Sequence, residues 1–263
     1  MAPLSSQRVN YDLIAHLYDE PSRDHGLDAH LVKFLNERGS RSGDRVKILD
    51  TGCGTGKQLA ANRQEFPGLF MVGLDLFHGM LQQAFQRDQT VIWVQGDNAH
   101  PPFRNNTYDY ITSQYSYSHV NEKRRMISAI YRLLKTGGRF VITHIDPWSM
   151  KDWILYQYFP TARERDFRDF LPIEELVSLL RGAGFINIGV DRQYQSEMVN
   201  LDEFLAYASR RYHTSQLMVI SDRDYQSGII RIVSDLRDSA NPGMVDSNFC
   251  RVTVVGDKPY KPT

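Results

Sequence analysis

The chain is 263 residues long, 41% apolar and 24% charged, with Lys plus Arg and Asp plus Glu equal at 31 each. That composition fits one large globular domain with a sizeable core, and the balance of charge leaves no overall field to draw the chain to nucleic acid or anionic lipid. Its two cysteines, Cys53 and Cys250, make neither a disulfide framework nor a metal spacing, no apolar run reaches the roughly 18–20 residues that span a bilayer, and the opening Met1-Ala2-Pro3-Leu4-Ser5-Ser6-Gln7-Arg8 has no signal h-region.

Residues 10–38 read as two helical pieces. Tyr11, Ile14, Ala15 and Tyr18 recur at helical spacing, and after a break at Glu20-Pro21-Ser22 so do Leu27, Leu31, Phe34 and Leu35. A polar loop from Gly39 to Asp44 leads into Val46-Lys47-Ile48-Leu49-Asp50, an apolar run expected as a buried parallel strand. It breaks into a loop with three glycines, and a helix starting near Lys57 is stopped by Pro67-Gly68. Strands are expected at 69–75, 91–95 and 108–113, a helix at 122–134, a turn at 135–139, a strand at 140–146, a helix from 171 to the Gly182-Ala183-Gly184 stop, and strands at 185–190 and 249–255. Two stretches interrupt this alternation. Residues 147–171 are dense in aromatics and then in charge, and 197–240 contain two helical runs, 201–212 and 222–236. Residues 238–247 read as a polar turn and 258–263 as a frayed tail. Strands alternating with helices give an α/β, Rossmann-like architecture.

The loop Thr51-Gly52-Cys53-Gly54-Thr55-Gly56 carries the chemistry. Glycine there lets backbone N–H groups approach a ligand and permits positive φ, so a nucleotide-like cofactor is expected. Asp50 stands two residues before the first glycine. A carboxylate is a poor neighbour for pyrophosphate and a good one for a sulfonium with an α-amino group, which points to S-adenosylmethionine (SAM) rather than a dinucleotide. Asp75, at the end of the next strand and 19 residues beyond Gly56, is placed to accept hydrogen bonds from ribose hydroxyls.

Asp50-Thr51-Gly52-Cys53-Gly54-Thr55-Gly56 resembles the first motif of the class I SAM-dependent methyltransferases, and the likeness to small-molecule, UbiE-like members continues over most of residues 10–195. Asn10-Tyr11-Asp12-Leu13-Ile14-Ala15-His16-Leu17-Tyr18-Asp19 resembles their "YD-x-I-A-x-x-YD" opening, Gly96-Asp97-Asn98-Ala99 with Pro101-Pro102-Phe103 their "G-D-A-x-x-L-P-F", and Leu134-Lys135-Thr136-Gly137-Gly138 their "L-K-x-G-G". The loop from Gln114 to His119 resembles the segment ending in "L-H-H", with Tyr117 and Ser118 in place of the Leu and the first His. The resemblance implies a seven-stranded, mostly parallel sheet in a single domain over 1–263, with a helical cap at 1–40 and cap inserts at 147–171 and 197–240 covering the substrate. It implies that Tyr18, Asp50, Thr51, Gly52, Cys53, Gly54, Gly56, Asp75, Leu76, Met80, Gly96, Asp97, Asn98, Ala99, Ser113 and Gln114 hold SAM, Asp97 by accepting from the adenine amine.

The expected activity is methyl transfer to O, N or C of a small, partly aromatic or apolar molecule, in secondary metabolism and in the cytoplasm, with no metal, nucleic-acid or membrane partner and with a homodimer compatible. His119 and His144 are candidate bases, with Tyr115 and Tyr117 as orienting hydroxyls; His144 and Asp146 would point to one face of a strand. His16, His25 and His213 are weaker candidates on the expected caps. Two other readings are a SAM-fold protein that binds SAM without methylating, such as a cyclase or binding subunit, and an NAD(P) oxidoreductase, which Asp50 and the Gly137-Gly138 turn oppose.

Overall fold

The computed structural model describes residues 9–18, 26–39, 46–238 and 243–260. Residues 1–8, the Glu20-Pro21-Ser22 break, His25, most of the 39–44 loop and the end of the tail lie outside them. Seven strands form one sheet in the order β3-β2-β1-β4-β5-β7-β6. These are β1 (Lys47–Thr51), β2 (Phe70–Asp75), β3 (Ile92–Gln95), β4 (Tyr108–Gln114), β5 (Leu134–Ile145), β6 (Ile186–Asn200) and β7 (Met244–Asp257). The pairs β1–β2, β1–β4, β2–β3 and β4–β5 are parallel. β7 runs antiparallel to β5, since Gly137 N–H donates to Lys258 O while Asp146 N–H donates to Cys250 O. The chain order reverses between β1 and β4, which is where an open α/β sheet leaves a crevice at its strands' carboxyl ends.

The chain divides into two compact units: Tyr11–His144, Ile173–Asp191 and Val252–Thr263 in one, and Met1–Asn10, Ile145–Pro172 and Arg192–Arg251 in the other. In the first lie α1 (Ala29–Glu37), α2 (Lys57–Glu65), α3 (His78–Arg87), α4 (Lys123–Leu133) and α7 (Ile173–Ala183); in the second, α5 (Ile154–Tyr158), α6 (Pro160–Asp169), α8 (Leu201–Ser209), α9 (Ser215–Val219) and α10 (Asp222–Arg237). Buried Leu31, Phe34 and Leu35 of α1 pack with Ile48, Leu59, Met71, Tyr110 and Val141, so one face of the central sheet is closed by apolar side chains. In the second unit Ile154, Leu155, Tyr156, Tyr158 and Phe159 are buried, with Phe204, Leu217 and Ile232. A Cβ on Gly228 would come within 2.1 Å of the Phe159 ring, so α10 can lie this close only with glycine there. Most of the aromatics expected as a substrate lid at 147–171 thus build that unit's own core.

Four expectations are corrected. The first N-terminal helix is two single 3₁₀ turns, Tyr11–Leu13 and Ala15–Leu17, in which only Ala15 is buried; one buried side chain cannot stabilise a longer helix. The turn expected at 135–139 is the start of β5, because Gly137 N–H and Gly138 O pair with Lys258 across the ladder. β6 and β7 are 15 and 14 residues long, well beyond the short strands expected. The polar stretch of β6 looks like loop because that strand, at the edge of the sheet, is largely exposed. Finally, the run 201–212 ends as a helix at Ser209, and α9 was not foreseen.

Candidate active site

Glycine is required in the loop after β1 for three different reasons. Gly52, Gly54 and Gly56 all have positive φ, at 72, 54 and 74°. A Cβ on Gly52 would lie 2.2 Å from Ser116 Cβ, and one on Gly56 would lie 2.5 Å from the Trp93 ring; only at Gly54 does nothing stand within 4 Å. Gly54 therefore presents backbone to open space, whereas Gly52 and Gly56 make room for the protein itself. Ser116 fixes the neighbouring strand end: its Oγ donates to Thr51 O at 2.8 Å and lies 2.8 Å from Ser113 Oγ. Thr51 Oγ1 donates to Thr112 O, so β1 and β4 are laced together at the switch point.

Carboxylates converge on this loop. Asp75 Oδ2 accepts from Gly54 N–H at 2.8 Å and Oδ1 from Phe77 N–H at 3.0 Å. Burial raises the Asp75 carboxyl above its ordinary range, while those backbone donors pull it down. Asp50 is 2% exposed, and its Oδ1 meets no hydrogen-bond donor among the described residues. Burial first, then the negative charges of Asp28 and Asp75, push its carboxyl up to about 8. Asn98 Oδ1 is another buried acceptor that meets no donor among the described residues, on a side chain whose Nδ2 lies 3.3 Å from where a Gly52 Cβ would be. Two buried acceptors that meet no donor among the described residues, Asp50 Oδ1 and Asn98 Oδ1, beside a bend with open space at Gly54 suit a ligand that is cationic and rich in donors. The sulfonium, ammonium and ribose hydroxyls of SAM are such groups, so the residues fit that cofactor.

An aromatic cluster stands beside Asp75. The Tyr11 ring meets Tyr18, Phe77 and His119 edge-on at 5.6, 5.3 and 5.5 Å, and the Tyr11 hydroxyl lies 3.0 Å from His119 Nε2. Asp12 secures this segment by accepting from Gly79 N–H at the start of α3. The structure thereby gathers Tyr18, Asp75 and His119 through Tyr11 and Phe77.

Other expected site residues are placed differently. Tyr117 is fully buried, its ring stacked on buried His144 at 5.5 Å with Lys123 Nζ 5.2 Å from its ring centroid, and its hydroxyl meets no partner among the described residues. Burial also raises the Tyr117 phenol, which opposes an ionised role. Tyr115 is exposed, with φ of 54°. β5 ends at Ile145, so the alternation that would set His144 and Asp146 on one face stops there. Asp146 instead accepts from Trp148 N–H and the Ser149 hydroxyl and pairs with Arg192 at 3.0 Å. Met80 is 2% exposed, packed on the inner face of α3, whereas Leu76 is 44% exposed. Cys53 is buried in the core cluster, where desolvation holds its thiol well above its ordinary value. Asp97 accepts from Ala99 N–H at 2.8 Å, and Gly96 N–H donates to Asp75 O, which sets that loop beside β2. Gln114 ends β4 and is partly buried. Ser116, Phe77 and Asp28 were not singled out. Asp28 could have been, as an acid just before the apolar run of α1: its Oδ1 accepts from His30 and Leu31 N–H, an N-cap.

Residues 49–142 match the family described as "Methyltransferase domain". The chain is 30% identical over 173 residues to a demethylmenaquinone methyltransferase of Lactiplantibacillus plantarum, covering 55% of this chain and 72% of that one. It belongs to the class I SAM-dependent methyltransferase family. It is also 27% identical over 203 residues to a ubiquinone/menaquinone biosynthesis C-methyltransferase UbiE of Desulfotalea psychrophila, covering 68% of this chain and 81% of that one. Among solved structures, Haemonchus contortus phosphoethanolamine N-methyltransferase 2 shares the fold with a TM-score of 0.56 and 24% identity, over 88% of this chain and about half, 52%, of that longer one. Its cofactor is SAM, and the dinucleotide reading falls. No helix among the described residues is long and apolar enough to cross a membrane, and no group of three or more His, Cys, Asp or Glu among them is set to hold a metal.

Proposed function

We propose that this methyltransferase acts on O, N or C of a small apolar or partly aromatic molecule, in the cytoplasm and away from nucleic acid. The observation that carries the reading is the Tyr11–His119 pair, 3.0 Å apart, set beside the acid that ends β2. SAM, when bound, supplies a methyl group on a sulfonium that leaves readily. Asp50 and Asp75 hold the donor's cationic and hydroxyl groups, and the rings of Tyr11, Tyr18 and Phe77 exclude water from that side. His119 accepts a proton from the acceptor's O–H or N–H, or from its enol or phenol O–H where carbon is the nucleophile, and the Tyr11 hydroxyl, bonded to Nε2, fixes the imidazole's orientation. Alignment supplies the largest share of the rate, up to about 7–11 kcal/mol in near-attack geometry. Equal counts of basic and acidic residues support a small-molecule over a polyanionic acceptor. The two curated relatives, named for ubiquinone and menaquinone biosynthesis and for demethylmenaquinone, support an aromatic ring with apolar substituents.

The test is S-adenosylhomocysteine formation from SAM with a panel of hydroquinones, phenols and aliphatic amines. Turnover is expected with ring acceptors first, and His119→Ala is expected to lower kcat by about 10²–10⁴-fold at unchanged SAM affinity. Turnover confined to the aliphatic amines, or wild-type kcat in His119→Ala, would sink the reading.

A further inference from the structure

Behind the glycine bend lies a buried polar layer that methyl transfer itself does not explain. The Tyr110 hydroxyl donates to Asp28 Oδ2 at 2.8 Å, Asp28 N–H donates to Asn62 Oδ1 at 3.0 Å, and Gln58 Nε2 donates to the same Asn62 oxygen at 3.2 Å. Asp50 belongs to this layer. It pairs with Thr112 across the β1–β4 ladder, and Tyr110 stands two residues before Thr112, so the side chains of Asp50, Thr112 and Tyr110 share one face of the sheet. Asp28, Asp50, Gln58, Asn62, Tyr110 and Thr112 are all buried.

Three polar atoms in the layer have no partner among the described residues: Asp50 Oδ1, Asn62 Nδ2 and Thr112 Oγ1. The acids around the bend differ in what they receive. Asp75 takes two backbone N–H groups, which favour a carboxylate, and Asp28 takes two more and the Tyr110 hydroxyl. Asp50 Oδ1 receives nothing, so a proton shared among these acids resides best on Asp50. The groups facing it are Asp28 before α1, Asp75 on β2, Cys53 in the bend and Tyr110 on β4, the last also feeling Arg139 of β5; no cation is among the causes acting on Asp50.

We propose that Asp50 carries a proton in the free protein and surrenders it to solvent when cationic SAM binds, with Asp28 as the positioning residue that sets this coupling. The inference rests on the functional reading above, in that SAM occupies the bend. The balance is simple: the O–H bond of the Asp50 carboxyl breaks, the proton leaves to buffer, and the carboxylate faces the donor's positive charge. Burial and the Asp28 charge hold the free carboxyl neutral up to about pH 8, and an incoming cation reverses that preference. SAM affinity then rises with pH, by about tenfold per unit while the free acid is protonated.

The experiment is calorimetric titration of the full chain with SAM at pH 6.5 in phosphate and in a buffer of high ionisation enthalpy, with affinities measured again at pH 6 and 7. Wild type is expected to release close to one proton per SAM and to bind about tenfold tighter at pH 7 than at pH 6. Asp50→Asn is expected to release none and to lose the slope. Asp28→Asn, which keeps the cap acceptor, is expected to release less than wild type, because Asp50 loses one of the charges that hold it protonated before SAM arrives. A purely structural Asp28 would weaken binding equally at every pH with release unchanged, and that result overturns its role. SAM bound tightly by wild type with no proton released overturns the inference and leaves the function standing; failure to bind SAM at all overturns both. If Asp28→Asn does not fold, the wild-type pH series alone decides.

Discussion

Each unit of the chain buries an acid, and the two are treated oppositely. In the second unit Asp166 Oδ2 accepts from the Tyr156 hydroxyl at 2.6 Å and from Gln216 Nε2 at 3.2 Å, tying α5, α6 and α9 together. In the first, Asp50 Oδ1 is equally shut from water and accepts nothing among the described residues. Burial raises both carboxyls, Asp166 to about 7 and Asp50 to about 8. Desolvation alone therefore does not mark a functional acid. A satisfied network spends its acceptors on the fold, and an unsatisfied one keeps them for a ligand.

The sharpest break of this comparison is at the bend itself. Gly52→Ala pushes a Cβ against Ser116 in a left-handed backbone, an overpacking and strain cost of about 2–5 kcal/mol. A large loss of thermal stability is expected. Gly54→Ala meets no protein atom and should cost only about 1–2 kcal/mol of strain while weakening SAM. Equal stability losses in the two variants would mean that the bend is a turn and no ligand approaches it.

Next in size are the acids. Asp75→Ala removes a charged acceptor and should weaken SAM by about 1.5–3 kcal/mol in equilibrium binding. Asp166→Ala should leave SAM affinity unchanged and lower stability by about 1–3 kcal/mol, since the Tyr156 hydroxyl loses its acceptor. An Asp166→Ala variant that binds SAM poorly would dissolve the contrast.

The smallest effect is in pH. The folded-state value of Asp166 lies above that of an unfolded Asp, so the folded unit holds the proton more tightly. Its contribution to stability is complete below about pH 4 and is lost as pH rises through about 7. The chemical-denaturation midpoint should accordingly show a component that falls between those values and that Asp166→Asn removes. A component rising with pH there would contradict the assignment.

How far these features are legible in sequence depends on the reach of the interaction. The bend, Asp75 and the apolar strands could be read because loop, helix start and strand alternation are set by neighbours. The site's long-range pairs could not: Tyr11 and His119 are 108 residues apart, Tyr110 and Asp28 82. Tyr117 looked like a substrate-facing hydroxyl because an aromatic beside polar residues reads alike in a core and in a pocket. Gly52 and Gly56 read as cofactor glycines, and only the positions of Ser116 and Trp93 show that they also make room for the protein's own side chains. β6 reads shorter than it is because polar residues on an exposed edge strand carry no alternation to follow.

The claim on which the rest stands is that a recessed carboxylate and an open glycine bend hold a cationic methyl donor. Equilibrium titration of SAM into wild type and Asp50→Ala, with NADH as the comparison ligand, tests it most directly. One SAM per chain, at least about tenfold weaker in the variant, with no NADH bound, is the predicted result. Equal SAM affinity in the two proteins, or NADH bound in place of SAM, would contradict it.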